Sequence, residues 1–150
     1  MLKQILPPKI ASSGFTLLEL MITVAIVAIL ATVASVAYTN QVQKSRRTDA
    51  RSALLDLAGR EEKLFSITNA YSATPSDLGY GAVGTPFPIT VGSGYYQVSA
   101  TVANPPVSYL ITATAIGNQV GDTTCATLSV DQTGAQTSTG TGTASTCWGN

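Results

Sequence analysis

The sequence predicts an α+β chain in which one long N-terminal helix packs on a small antiparallel sheet. Three observations predict it. From Phe15 to Tyr38 the only charged residue is Glu19, set among Leu, Ile, Val, Ala and Met. From Ala50 to Phe65 apolar residues recur at three- and four-residue steps, the period of a helix with one buried face. Beyond Gly94 apolar and polar residues alternate in short runs bounded by Gly, Pro and Asn, the period of strands.

Composition narrows the function before any element is placed. A chain of 150 residues suits one domain with a modest core. Eight basic and eight acidic residues cancel, and ten of those sixteen lie between Lys44 and Lys63. After Leu64 only Asp77, Asp122 and Asp131 are charged. Nucleic-acid affinity rests on basic residues neutralising phosphates, so the C-terminal part is poorly equipped for it. There is no histidine, the commonest general base and nitrogen ligand, and two cysteines cannot build a four-thiolate zinc site. No catalytic, cofactor or metal set is assembled, and the chain reads as a non-enzyme.

The apolar segment comes first along the chain. Twenty-four helical residues rise about 36 Å, enough to cross a hydrocarbon core of roughly 30 Å. A single domain this small cannot surround such a segment, so membrane insertion is expected. The order of parts differs from a secretory signal, whose apolar region precedes its cleavage site. Here a polar leader from Met1 to Gly14, carrying Lys3 and Lys9, precedes the apolar run. Cleavage after Gly14 would leave the helix on the mature chain, starting at Phe15.

The stretch GFTLLEL, Gly14 to Leu20, followed by the apolar run, resembles the processing motif of type IV pilins. The resemblance implies that a membrane prepilin peptidase cuts between Gly14 and Phe15 and methylates the new amine of Phe15. It also matches Glu19 to the acid that guides subunit assembly in that family. Physics is compatible. An ionised group in a membrane segment is costly and usually marks function or finds a partner. The new cationic amine could meet Glu19 four residues along the same helix, or from a neighbouring subunit, fixing axial register. The alternative is that Glu19, within about 6 Å of the helix start, snorkels to the headgroups.

Two positions depart from the family pattern. Val36 stands where a proline is usual and Ala28 where a glycine is often found, so this helix should be more continuous. Charge counting also opposes the motif. Lys44, Arg46, Arg47 and Arg51 outnumber Lys3 and Lys9, and the positive-inside tendency would put the head on the cytoplasmic side. The motif implies a periplasmic head.

No strong helix breaker follows Tyr38 until Gly59, and one helix from about Phe15 to Phe65 is the simplest expectation. Ala50, Ala53, Leu54, Leu57, Ala58, Leu64 and Phe65 form its buried stripe, while Arg47, Arg51 and Arg60 fall off it. The cluster Lys44, Arg46, Arg47 and Arg51 reads as a solvated face touching headgroups or acidic neighbours in a fibre; the sharper alternative is DNA contact. Residues 66–93 are rich in Pro, Gly, Ser and Asn and read as an irregular loop. Within them GYGAVG matches a dinucleotide fingerprint in letters only, since Pro86 and Pro88 stand where a helix should open.

Three strands are expected. Tyr96, Val98, Ala100 and Val102 alternate with polar residues, as do Tyr109, Ile111, Ala113 and Ala115, with Asn104 to Pro106 as the connection. Cys125 to Val130 reads as the third strand. One sheet face would cover Leu54, Leu57 and Leu64. The ending, from SYLITATA to TCW, resembles PilE-like minor pilins, and the resemblance identifies the Thr/Ser/Gly tract between Cys125 and Cys147 as the pilin D-region. That tract has little to bury. A Cys125–Cys147 disulfide could add roughly 3 kcal/mol outside the cytoplasm; two free buried thiols are the alternative.

The expected organisation is a leader at 1–14, a membrane and assembly helix at 15–38, an amphipathic helix at 39–66, a loop at 67–93, and a sheet with its closed C-terminal loop at 94–150. The resemblance implies a type IV pilin fold and a structural pilus subunit, a minor one on the PilE-like ending. Partners would be other pilin subunits, the prepilin peptidase and an inner-membrane assembly platform, with the chain in the inner membrane before assembly and in an extracellular pilus after it. Nucleic acid is not an expected partner. Such fibres serve adhesion, twitching motility or DNA uptake. The rivals are a type II secretion pseudopilin and a DNA-receptor pilin.

Overall fold

The computed structural model describes residues 14–103 and 107–149. The expected leader up to residue 13 and the Asn104 to Pro106 connection lie outside the described residues. Two units separate between Thr39 and Asn40, within one helix, and each is described by itself.

Helix α1 runs Leu17–Thr68. It continues through Ala28, Val36 and Gly59 without interruption, three residues beyond the expected end. Its C-terminus is set by Asn69, whose φ of 54° is left-handed and whose N–H donates to Phe65 O at 2.8 Å. Asparagine is one of the few residues that adopts this cap conformation readily.

In the first unit α1 contains a window long and apolar enough to cross a membrane, and none of that window is buried. Its hydroxyls bond back onto the helix. Thr23 donates to Leu20 O at 2.9 Å, Thr32 to Ile29 O at 2.7 Å and Ser35 to Thr32 O at 2.8 Å. A hydroxyl satisfied in this way costs little in hydrocarbon.

In the second unit five strands form one meander in the order β1 (Ile89–Val91), β2 (Tyr96–Ala103), β3 (Ser108–Ala115), β4 (Thr127–Asp131) and β5 (Gln136–Thr139), all antiparallel. The register Tyr96↔Ala115, Val98↔Ala113 and Ala100↔Ile111 puts the alternating apolar residues of β2 and β3 on one face. Leu128 and Val130 of β4 join them, and Ala50, Leu54 and Leu57 of α1 complete the core. Full burial of each Leu, Ile or Val contributes about 1.5–3 kcal/mol, enough to hold helix and sheet together. Leu64, expected in the same stripe, is only partly buried, and Glu61 takes a buried place on that face.

Three expectations need correction. The 67–93 loop is more ordered than its composition suggests: a 3-10 turn spans Pro75–Leu78, and β1 pairs with β2 across a turn at residues 92–95 closed by Gly94 N–H to Val91 O at 3.2 Å. The expected strand at Cys125 to Val130 begins at Thr127 instead. The tract beyond it, which has little to bury and for which no element is expected, forms β5 and a short helix α2 (Ala144–Trp148). Asp131 Oδ1 organises the β4–β5 turn by accepting the N–H groups of Thr133 at 2.8 Å and Ala135 at 3.0 Å. Thr133's hydroxyl, first, and these amides hold the Asp131 carboxyl below its ordinary range.

Candidate functional site

The N-terminal end of α1 carries the residues that the sequence singled out. Gly14 and Phe15 precede the helix in exposed, non-helical backbone, with Phe15 81% exposed. Thr16 is the N-cap: its Oγ1 accepts the Glu19 N–H at 3.2 Å, and its carbonyl accepts Leu20 N–H at 3.2 Å. Thr-Leu-Leu-Glu is thus the capping-box pattern, a signal present in the sequence and overlooked in favour of the longer motif. It puts the acid in the first turn, where the helix dipole favours negative charge. The two ion pairs found among the described residues both lie in the second unit, so Glu19 has no cation there to neutralise it.

The basic cluster of the second unit is not a solvated face. Arg47 makes two hydrogen bonds of 2.6 Å to the Asp122 carboxylate, and both side chains are nearly buried. Gln119, fully buried, donates to Asp122 Oδ2 at 3.0 Å and to the Tyr96 hydroxyl at 3.2 Å. Arg46 lies over the Tyr95 ring, 3.5 Å from its centroid, and reaches Gln119 Oε1 at 3.4 Å. Arg51 donates to Trp148 O and, at 2.8 Å, to Thr48 Oγ1. Three of the four cations therefore fasten α1 to the turn before β2, to the 3-10 turn at Gly117–Gly121 and to α2, and Lys44 is the one of the four that is fully exposed. The sequence places Arg47 and Asp122 too far apart for this pairing to be read.

The C-terminal loop is closed by the Cys125–Cys147 disulfide, whose Cα atoms are 5.7 Å apart. Trp148 Nε1 donates to Thr137 O at 2.9 Å, and Thr143 caps α2 by accepting Thr146 N–H at 3.2 Å. Gly140, with φ of 122°, passes so near Thr124 that a Cβ there would lie 2.5 Å from its carbonyl oxygen. A side chain at Gly140 would push the loop off its seat.

Acids of α1 pin the 71–80 segment. Tyr80 donates to Asp56, Arg60 pairs with Asp56 at 3.0 Å and reaches Leu78 O at 3.0 Å, and Tyr71 donates to Glu62 at 3.2 Å. The Tyr80 hydroxyl, above all, and Arg60 draw the Asp56 carboxyl below its usual range against the effect of burial. Burial and the Asp56 carboxylate push Tyr80 up to about 12. Among the described residues no group of three acids, cysteines or histidines is placed to hold a metal ion. GYGAVG lies in bends and turns with no helix after it, so no phosphate cradle forms.

Comparison with known proteins gives four findings. Residues 10–35 match the family model "Prokaryotic N-terminal methylation motif". Residues 36–129 match the model "Type IV minor pilin ComP, DNA uptake sequence receptor". Two curated proteins of Pseudomonas aeruginosa, each called "Fimbrial protein", are 38% identical over 93 residues, 61% of this chain and 60% of theirs. The chain thus spans 60% of the length of these relatives. The structure titled "High-Resolution Structure of a Type IV Pilin from Shewanella oneidensis" aligns with a TM-score of 0.46 at 24% identity, covering 63% of this chain and 89% of that one.

Proposed function

This chain belongs to the ComP family of type IV minor pilins, and from that premise we propose that it is a structural pilus subunit assembled through its N-terminal helix. The observation that carries the reading is the exposure of every apolar side chain from Leu17 to Val36. An apolar surface of that extent needs lipid around it, then other helices. Prepilin peptidase cuts between Gly14 and Phe15 and methylates Phe15, and an inner-membrane platform lifts the mature subunit into the fibre. Before that step the chain spans the inner membrane with its head in the periplasm. Glu19 selects register by meeting the amine of an adjacent subunit. The test is Glu19→Ala: leader cleavage and membrane insertion persist while the amount in sheared fibres falls. Undiminished incorporation sinks the assignment.

The family description supports a second reading, a receptor for DNA during uptake. The geometry offers it little, because Arg46, Arg47 and Arg51 are engaged within the chain and no Lys or Arg follows Lys63. The full-length protein in detergent should fail to retain labelled duplex DNA at moderate salt; salt-sensitive retention would establish the receptor role instead. The family description also supports a pilus over a type II secretion system. The proposed role requires no catalysis by this chain.

A further inference from the structure

Glu61 occupies a position where the helix period of α1 calls for an apolar side chain, between Leu57 and Leu64. It is completely buried. Its Oε2 accepts the Ser72 backbone N–H at 3.0 Å, and its Oε1 is buried with no hydrogen-bond partner. The groups facing it offer no counter-charge. From α1 comes Glu62, from the 3-10 turn Asp77, from the preceding loop Tyr71 and from β3 Tyr109. Tyr71 directs its hydroxyl to Glu62, and Asp77 accepts the Ser72 hydroxyl at 2.6 Å. Among the described residues no cation pairs with Glu61.

A carboxylate in such a place keeps one acceptor bond and leaves a whole charge uncompensated; the neutral acid keeps the same bond and leaves one hydroxyl. We propose that Glu61 is a proton-operated latch that fastens the 71–77 segment to α1, closing when it binds a proton and loosening when it releases it. Burial, foremost, with the nearby Glu62 and Asp77 charges, raises its proton affinity, and the Ser72 N–H opposes that only in part. The far end of the segment is held separately, by Arg60 on Leu78 O and Tyr80 on Asp56. Tyr71 on Glu62 and Ser72 Oγ on Asp77 hold the near end as well, so the latch governs the Ser72 N–H contact rather than the whole segment. Grooves of about 510 and 460 Å³ flank the segment and share Leu64 and Asp77 as lining, and Ser72 lines the smaller one. The latch does not depend on the pilus reading, since it concerns the head alone.

The test uses the full-length chain in detergent micelles. The Glu61 side-chain carboxyl carbon, the Ser72 amide and hydrogen-exchange protection across 71–77 are followed by NMR from acid to mildly alkaline pH. The expected result is one shared titration above the ordinary glutamate value of about 4.3, with protection falling several-fold as the carboxyl ionises. Glu61→Gln keeps the acceptor without the charge, and its Ser72 amide should stay flat. A Glu61 carboxyl titrating at or below the ordinary value overturns the latch, as does an unchanged Ser72 titration in Glu61→Gln. If that variant does not fold, the carboxyl titration in the native chain decides alone.

Discussion

Arg47 and Asp122, 75 residues apart, meet in a fork of two 2.6 Å hydrogen bonds with the Asp122 side chain 1% exposed. The pair ties the second turn of the head's helix segment to the 3-10 turn at Gly117–Gly121, and Asp122 also accepts Gln119 and the Cys125 N–H. Removing one partner strands the other as a buried charge. Asp122→Ala should cost about 3–5 kcal/mol, while replacing both with apolar residues of similar size should recover part of it. Denaturant midpoints of the two variants check this. A single variant as stable as the parent would show that Arg47 reaches water once released.

Gly59 lies inside the C-terminal part of α1 on the exposed face, and a Cβ there meets nothing within 4 Å. Nothing among the described residues requires glycine at that position. Gly59→Ala should raise stability by about 0.8–1 kcal/mol through helix propensity and a less entropic unfolded chain. An unfolding midpoint that moves down would mean that the helix is strained there.

How much of this was legible in the sequence follows from which residues act locally. The apolar run, the Ala50–Leu57 stripe and the alternation in β2 and β3 carry their own period, so each element was readable from neighbours alone. Strand β5 was not. Its four residues, Gln136 to Thr139, are all polar, and it is held by β4 pairing and by Trp148 on Thr137 O. Glu61 is hidden in the sequence because an acid interrupts the apolar period that marks the buried face. Arg47 and Arg46 read as solvated in the sequence because their partners, Asp122, Tyr95 and Gln119, are distant along the chain and meet them only through the folded turns. Short-range chemistry such as Thr16 capping Glu19 was readable in four letters.

Two acids of α1 should give opposite pH dependences. Glu61 has a raised folded value, so its burden is absent below the ordinary glutamate range and grows as pH rises through it; acid favours folding through this group. Asp56 has a lowered folded value, so its contribution is present above the ordinary aspartate range and is lost as pH falls through the lowered one. Stability profiles of Glu61→Gln and Asp56→Asn against the parent should therefore diverge in opposite directions below neutrality. At the alkaline end, Tyr80 ionising near 12 rather than 10 makes the fold lose stability across that interval; Tyr80→Phe should remove the Tyr80 share and leave the share of Tyr71, Tyr96 and Tyr109, which burial also raises.

Reduction of Cys125–Cys147 opens a loop with a sequence separation of 22. Loop-closure entropy gives about 3 kcal/mol for a bridge of this span. The loss should fall first on α2, which is five residues long and otherwise held by Trp148 on Thr137 O and by Arg51 on Trp148 O. Trp148, 4% exposed in the closed loop, is the single tryptophan and reports directly. Reductant should shift its fluorescence to the red at denaturant concentrations where the oxidised head is intact. Unchanged emission would show that the two hydrogen bonds suffice.

Thr16 caps the Glu19 N–H, so the helix end and the Glu19 charge can be tested apart by two substitutions. Glutamine at the third helical position completes a capping box as well as glutamate does. Glu19→Gln therefore keeps the capping pattern and removes the charge, together with its small gain from the helix dipole. If the charge meets a neighbouring amine, the amount of Glu19→Gln subunit in sheared fibres should fall as far as for Glu19→Ala, with membrane levels unchanged. Thr16→Val does the reverse, keeping the charge and deleting the hydroxyl that accepts the Glu19 N–H. A lost N-cap costs about 1 kcal/mol, which a long helix in lipid tolerates, so Thr16→Val should assemble nearly as the parent does. Should Thr16→Val fail and Glu19→Gln succeed, the acid serves the helix end and not the neighbouring subunit.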